Sequence, residues 1–206
     1  MRVSLPSSPS DHHFSDDEAF AGHMESAYAA AASLPGQVIL LGIPPDSPEV
    51  EYGWIEPGVC TDGVVPGSVF PVSRFWEKPR QKLATTLMAR GCLWNSFVMV
   101  GCVSAFLNQI SHTLPSLPGA FESIRSSFST ASEEKELREL YSGIPATSFS
   151  QDVMSVRPRD LAVLCATGLG WSDLGEPGRV LSVLESKGVK TERGFRAGRQ
   201  LGRAAG

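Results

Sequence analysis

Apolar residues along this chain follow two periods, and the change from one to the other divides it into helices and strands. Residues 16–33 set Ala19, Phe20, Met24, Ala27, Tyr28 and Ala31 at helical spacing behind a run of acids. This predicts an amphipathic helix, ended by Pro35 and Gly36. Residues 37–42 (QVILLG) are almost wholly apolar, as in a strand buried on both faces. Pro44, Pro45 and Pro48 then break the chain before a short strand at residues 52–55 and an alternating one at 68–75, with a turn over 57–67 between them. A loop is expected at residues 6–10, ahead of the first helix.

Pro79 opens a helix over residues 81–90, which carries Leu83, Leu87 and Met88 on one side and stops at Gly91. Residues 93–100 predict a central strand, interrupted by Asn95 and Ser96. Residues 103–110, 121–128 and the charged segment 132–141 predict helices that cover the sheet. Residues 161–166 (LAVLCA) are a second all-apolar strand, followed by the glycine-rich segment 168–175 and a final helix over 177–187. Helices alternating with doubly buried strands make the expected class α/β.

A length of 206 residues fits one domain, expected over residues 1–190. Lys187, Lys190, Arg193, Arg196, Arg199 and Arg203 sit among glycines and alanines without apolar periodicity, so residues 191–206 are expected to form a mobile basic tail. With a net charge of -4 the chain does not advertise a nucleic-acid partner. Cys60, Cys92, Cys102 and Cys165 are scattered, with no CxxC pair and no zinc-ligand spacing, which fits a reducing cytoplasm. The first residues lack the apolar core of a signal peptide, and no window approaches the roughly 20 apolar residues of a membrane span. A cytoplasmic protein without a membrane partner is expected.

Candidate chemistry gathers in four places. Asp11, His12 and His13 lie in a loop, and three readings are open: a metal-binding aspartate, the signature of a manganese phosphoesterase, or a solvated loop whose aspartate caps the next helix. Glu77 and Lys78, before Pro79, end a strand; they would hold sugar hydroxyls and a phosphate, or form an adjacent surface ion pair. Asn95 interrupts a buried strand with an amide that could orient a polyhydroxylated ligand or close a local turn. Asp173 lies in a glycine-rich loop where the backbone can approach a ligand.

In order and spacing these segments resemble the sugar-1-phosphate nucleotidyltransferases, most nearly the mannose-1-phosphate guanylyltransferases, from about residue 3 to residue 184. Ser10-Asp11-His12-His13-Phe14 matches the family's aspartate-histidine segment. Leu41-Gly42-Ile43-Pro44-Pro45 is similar to its Gly-Ile-x-Pro strand end, and Glu51-Tyr52-Gly53-Trp54-Ile55 to its Tyr-Gly-Tyr-Ile element. Phe75-Trp76-Glu77-Lys78-Pro79, Leu93-Trp94-Asn95-Ser96 and Gly170-Trp171-Ser172-Asp173-Leu174-Gly175 resemble Phe-x-Glu-Lys-Pro, Trp-Asn-Ser and Gly-Trp-Ser-Asp-x-Gly.

The resemblance implies a Rossmann-like mixed, mostly parallel sheet flanked by helices. It also implies a reaction in which mannose-1-phosphate attacks the α-phosphate of GTP, giving GDP-mannose and pyrophosphate. On that reading Asp11, Lys78 and Asp173 are catalytic: Asp11 and Asp173 hold Mg²⁺ and Lys78 holds the sugar phosphate. Gly53, Glu77 and Asn95 join Lys78 in binding substrate, while His12 and His13 shape their loop. A homo-oligomer is compatible with the resemblance.

Three departures qualify it. The family's opening Gly-x-Gly-x-Arg loop has no counterpart in residues 1–9, so the domain is expected to be N-terminally incomplete, with an exposed sheet edge and catalytic competence in question. Phe97 stands where the Trp-Asn-Ser motif continues with glycine, and Ser150 where the segment 148–154 has an acid in the family. The alternative reading is a degenerate sugar-phosphate-binding or regulatory subunit without turnover. A phosphoesterase would need further ligands, and only His23 and His112 remain as histidines.

Overall fold

The computed structural model describes residues 4–58 and 67–189. The expected tail and most of the turn over residues 57–67 lie outside them. The longest helix, α1 (Asp17–Ser33), is capped by Asp16, whose Oδ1 accepts the Ala19 N–H at 2.8 Å. Capping therefore falls to Asp16 rather than Asp11. Ala27 and Ala31 are the buried residues of α1, small enough to let the helix lie close against the sheet.

That sheet has the order β1 (Ser4–Ser7), β6 (Leu93–Cys102), β3 (Val38–Ile43), β7 (Leu161–Cys165), β5 (Val69–Trp76), β4 (Trp54–Pro57), and β4 also pairs with the start of β6. It is mixed and flanked by helices, as expected, but the parallel share is smaller than "mostly". Among the described pairings only β3–β7 is parallel. The chain between β4 and β5 is too short for the crossover that a parallel pair needs, so these two run antiparallel.

Successive residues of the two all-apolar strands feed two cores, which is why those strands show no alternation. Ile39, Leu41, Ala162 and Leu164 pack on the side of α1 and α2 (Gln81–Ala89), with Leu87 and Trp94. Val38, Leu40, Leu161 and Val163 pack on the other side, with Phe75, Leu93 and Ala105 of α3 (Val103–Thr113).

Other expectations shift. The loop over residues 6–10 is in part a strand: β1 pairs antiparallel with the end of β6, with Leu5 opposite Gly101. Pro6 is tolerated because β1 is an edge strand, whose free side needs no N–H donor. The helix expected at residues 121–128 ends earlier, as α4 (Ser116–Ser123) followed by a 3₁₀ turn at Arg125–Ser127. The charged helix α5 (Glu133–Gly143) buries none of its residues, so it does not cover the sheet; its glutamates keep it in water. The last helix is α6 (Pro177–Ser186). No helix among the described residues is long and apolar enough to cross a membrane. Cys92, Cys102 and Cys165 are free and buried, and burial, with Glu56 adding, pushes the Cys92 thiol up to about 11.

Candidate functional site

Three strands bring one row of residues into register. Trp54 of β4 stands opposite Trp76 of β5 on one side and Trp94 of β6 on the other, so the next row holds Gly53 between Glu77 and Asn95. The Asn95 N–H donates to the Gly53 carbonyl at 2.8 Å, which carries the ladder past the end of β4. A Cβ at position 53 would lie 2.9 Å from Phe75 Cζ, 3.2 Å from Glu77 Oε2 and 3.4 Å from Asn95 Cβ. Only glycine fits between the acid and the amide.

The polar atoms of this region are left without partners. Five buried side-chain nitrogen and oxygen atoms lack a hydrogen bond among the described residues, and four of them are here: Trp76 Nε1, Glu77 Oε2, Trp94 Nε1 and Asn95 Nδ2. An unpaired buried polar group costs about 1–3 kcal/mol. Their concentration at one end of three strands is what a hydrogen-bonding ligand would relieve. Asn95 Oδ1 accepts the Phe97 N–H at 3.2 Å, which fixes the amide and leaves Nδ2 as the free donor.

Backbone strain sits beside the same row. Lys78 has φ 42° and Phe97 has φ 56°, left-handed conformations that cost a side-chain-bearing residue about 1 kcal/mol or more. At Phe97 the strain belongs to a bulge, because β6 spends more residues than β3 between the pairs Leu40–Met99 and Gly42–Asn95. This explains why glycine suits that position. At Lys78 the strained turn separates two neighbours: Glu77 Oε2 is buried, while Lys78 Nζ lies 3.3 Å from Glu51 Oε2. The adjacent Glu77–Lys78 ion pair does not form. The pair that does form is about half exposed on both sides, 56% and 52%, and is worth at most about 1 kcal/mol, so it holds Lys78 only weakly.

A second cluster lies at the same end of the sheet, beyond the C-terminal ends of the parallel pair β3 and β7. The strand β2 (His12–His13) pairs antiparallel with β8 (Ser172–Asp173), His12 opposite Asp173, and the Leu174 N–H donates to the Asp11 carbonyl at 2.8 Å. The two expected acidic segments, far apart in sequence, are thus zipped together. Trp171 Nε1 donates to His12 Nδ1 at 3.2 Å, and the Trp171 ring packs against Tyr52 and Trp94. Burial holds the His12 imidazole below its ordinary 6.5, against the raising pull of Asp11, Asp173 and the Ser96 main chain. His12 is therefore neutral near pH 7, as an acceptor for Trp171 must be. Its contact with Ser96 also ties this cluster to the Asn95 row.

Arg179, in the first turn of α6, organises the second cluster. Its Nη1 donates to Asp173 Oδ2 at 3.0 Å and its Nη2 to Glu49 Oε2 at 3.2 Å, and its guanidinium lies 4.5 Å over the Tyr52 ring. Asp173 Oδ1 accepts the Gly175 N–H at 2.5 Å. Burial alone would raise the Glu49 carboxyl, but the N–H groups of Glu51 and Val50 and the Arg179 guanidinium hold it below its usual range. Burial also pushes the Tyr52 hydroxyl up to about 12, with Arg179 opposing and Asp173 and Glu49 adding.

Sequence reasoning passed over Arg179 and Glu49. One signal was available: a cation in the first turn of a helix opposes the helix dipole and needs another reason to be there.

No three His, Cys, Asp or Glu side chains converge into a metal cage among the described residues. A magnesium ion needs no such cage, since it is commonly held by one or two carboxylates together with substrate phosphates and waters. Asp11 and Asp173, both close enough to His12 to act on its charge, suit that donor set in kind. Asp173, though, has both oxygens engaged.

The family model described as nucleotidyl transferase matches residues 8–186. A xanthan biosynthesis protein, XanB of Xanthomonas campestris, is 30% identical over 182 residues, which is 87% of this chain and 37% of that protein. A mannose-1-phosphate guanylyltransferase of Escherichia coli is 30% identical over 167 residues, 80% of this chain and 34% of that protein. Among solved structures, one from Thermus thermophilus named mannose-1-phosphate geranyltransferase superposes with a TM-score of 0.69 at 29% identity, over 84% of this chain and 47% of that one. One from Helicobacter pylori named mannose-6-phosphate isomerase, at 22% identity and a TM-score of 0.66, shares the fold. The chain spans about a third of the length of the curated relatives it matches. With its motifs held in the geometry just described, and the match running over residues 8–186, the chain belongs to the nucleotidyl transferase family.

Proposed function

We propose that this chain carries the sugar-phosphate side of a nucleotidyl-transfer site, and that the reaction forms GDP-mannose and pyrophosphate from GTP and mannose-1-phosphate. The observation that supports it best is the row Glu77, Gly53 and Asn95, where an acceptor and a donor are buried without partners on either side of bare backbone. A pyranose offers adjacent hydroxyls that donate to one and accept from the other. Lys78, one residue on from the acid and held only by an exposed pair, would take the phosphate of the same molecule.

Asp11 and Asp173 would hold Mg²⁺, which when bound offsets negative charge as the two phosphates approach. The chain's own residues would do the positioning: Glu77 and Asn95 fix the sugar, Lys78 fixes its phosphate, and Tyr52, Trp94 and Trp171 wall the site against water. The test is calorimetric titration with mannose-1-phosphate, beside an assay of pyrophosphate release from GTP. Binding that is lost in Asn95→Ala together with turnover supports the whole reading. Binding without turnover supports the alternative of a sugar-phosphate-binding subunit, and no binding removes the reading.

A further inference from the structure

Arg179 stands where the proposed function puts a metal. Three carboxylates, Asp11, Asp173 and Glu49, lie around the second cluster, and among the described residues the one cation in direct contact with two of them is Arg179. The Arg179 side chain is part-buried, 18% exposed, and its two prongs reach carboxylates that are far apart in sequence. It comes from α6, a helix with no buried residue of its own, so the same contacts that neutralise the acids also fasten α6 to the site.

Charge alone makes such a group necessary. Two carboxylates facing each other across a partly dry cleft repel unless a cation lies between them. When the cleft also receives phosphates, a cation must be there in the loaded state too. A guanidinium and a divalent ion in contact with the same Asp173 oxygen repel each other, however, so the binding of one weakens the hold of the other.

We propose that Arg179 is a resident counter-cation: it holds Asp173 and Glu49 while the site is empty, and gives up Asp173 when a divalent cation binds, so that it sets the metal affinity of the site. This rests on the reading of Asp173 as a metal ligand. Release of one prong leaves the other on Glu49 and the face of the guanidinium on Tyr52, so α6 stays tethered while Asp173 is freed. Arg179 is thus a positioning residue that acts through Asp173.

The test is metal binding by the full chain without nucleotide, using Mn²⁺ as the probe, followed by its electron paramagnetic resonance, with Mg²⁺ as competitor. Arg179→Met removes the competing cation and is expected to bind Mn²⁺ about tenfold more tightly, with Arg179→Lys in between because lysine keeps the charge but loses the fork. Asp173→Asn in the Arg179→Met background returns binding to the weak level. Equal affinity in wild type and Arg179→Met, with binding still dependent on Asp173, overturns the proposal and leaves the metal reading standing. Weaker binding in Arg179→Met also overturns it, since Arg179 would then be supporting the metal rather than competing with it. Binding independent of Asp173, or none, overturns the metal reading itself. A measurement on the unaltered chain avoids any folding defect: Mg²⁺ should shift the Arg179 side-chain nitrogen resonances as Nη1 leaves Asp173, and no change on saturation overturns the proposal.

Discussion

Glu77 Oε2 and Asn95 Nδ2 are buried without a hydrogen-bond partner among the described residues, whereas Asp173, at the same end of the sheet, has both oxygens taken by Gly175 and Arg179. The first region is rigid and unsatisfied; its donors and acceptors are held by paired strands, and its strain is already in place at Lys78 and Phe97. The second is satisfied by contacts that can exchange. A ligand gains directly at the first, since it relieves groups that the fold leaves unpaired. At the second it must displace something, so affinity there is a difference between two sets of contacts. The first region should govern which sugar binds, and the second should respond to ions.

The sharpest way to break this contrast is to close the open row. Gly53→Val drives a side chain into Phe75 and Glu77, and is expected to abolish mannose-1-phosphate binding, a loss of roughly 100-fold or more, while overpacking costs about 1–3 kcal/mol of stability. Titration calorimetry beside thermal melting reads both. Glu77→Gln is subtler. It keeps the shape, replaces a carboxylate oxygen that has no partner among the described residues, and so should lower sugar-phosphate affinity roughly 10- to 100-fold while leaving stability unchanged or raised. A destabilised Glu77→Gln would mean that the carboxylate is structural, and the open row would lose its claim to be a ligand site.

Lys78 allows a smaller and more specific test. At φ 42° a glycine sits without strain, so Lys78→Gly is expected to gain up to about 1 kcal/mol of stability and to lose phosphate affinity about tenfold. Lys78→Ala should lose the same affinity without the gain. If both variants are equally stable, the left-handed turn is not a strain held for function.

Much of this was legible in the sequence, and the parts that were not share physical causes. The doubly buried strands β3 and β7 show as unbroken apolar runs because both faces are covered, whereas the interruption expected at Asn95 and Ser96 falls later: Asn95 still pairs with Gly42, and the bulge lies between it and Met99. The edge strand β1 was missed because its Ser-Leu-Pro-Ser sequence looks like a turn, and its pairing with β6 is a long-range event that no local pattern encodes. The pairing of β2 with β8 is similar: two residues against two, too short to leave a periodic trace. The identity of the polar groups at Gly53, Glu77 and Asn95 was readable, but their alignment in one row depends on the register of three strands. Arg179 was overlooked because a single arginine in an amphipathic helix looks like surface; only its place in the first turn, against the helix dipole, set it apart.

The smallest expected effect concerns His12, and its sign separates a structural imidazole from a catalytic one. Its folded pKa lies below the ordinary 6.5, so the unfolded chain takes up a proton first as the pH falls. Between 6.5 and the lower folded value the unfolded state binds more protons, and stability therefore declines on acidification through that window and levels off below it. Protonation at Nδ1 also removes the acceptor for Trp171 Nε1, so Trp171 fluorescence should change over the same lower range. His12→Asn keeps a short polar group at the head of β2 while removing the titration. It is expected to flatten the pH dependence of the thermal midpoint between pH 7 and the folded value, and to leave sugar-phosphate affinity within about twofold. A variant that binds normally but keeps the full pH dependence would assign that dependence to other groups; one that loses binding outright would move His12 from the wall of the site into its binding surface, making the contact between the two regions part of sugar-phosphate recognition.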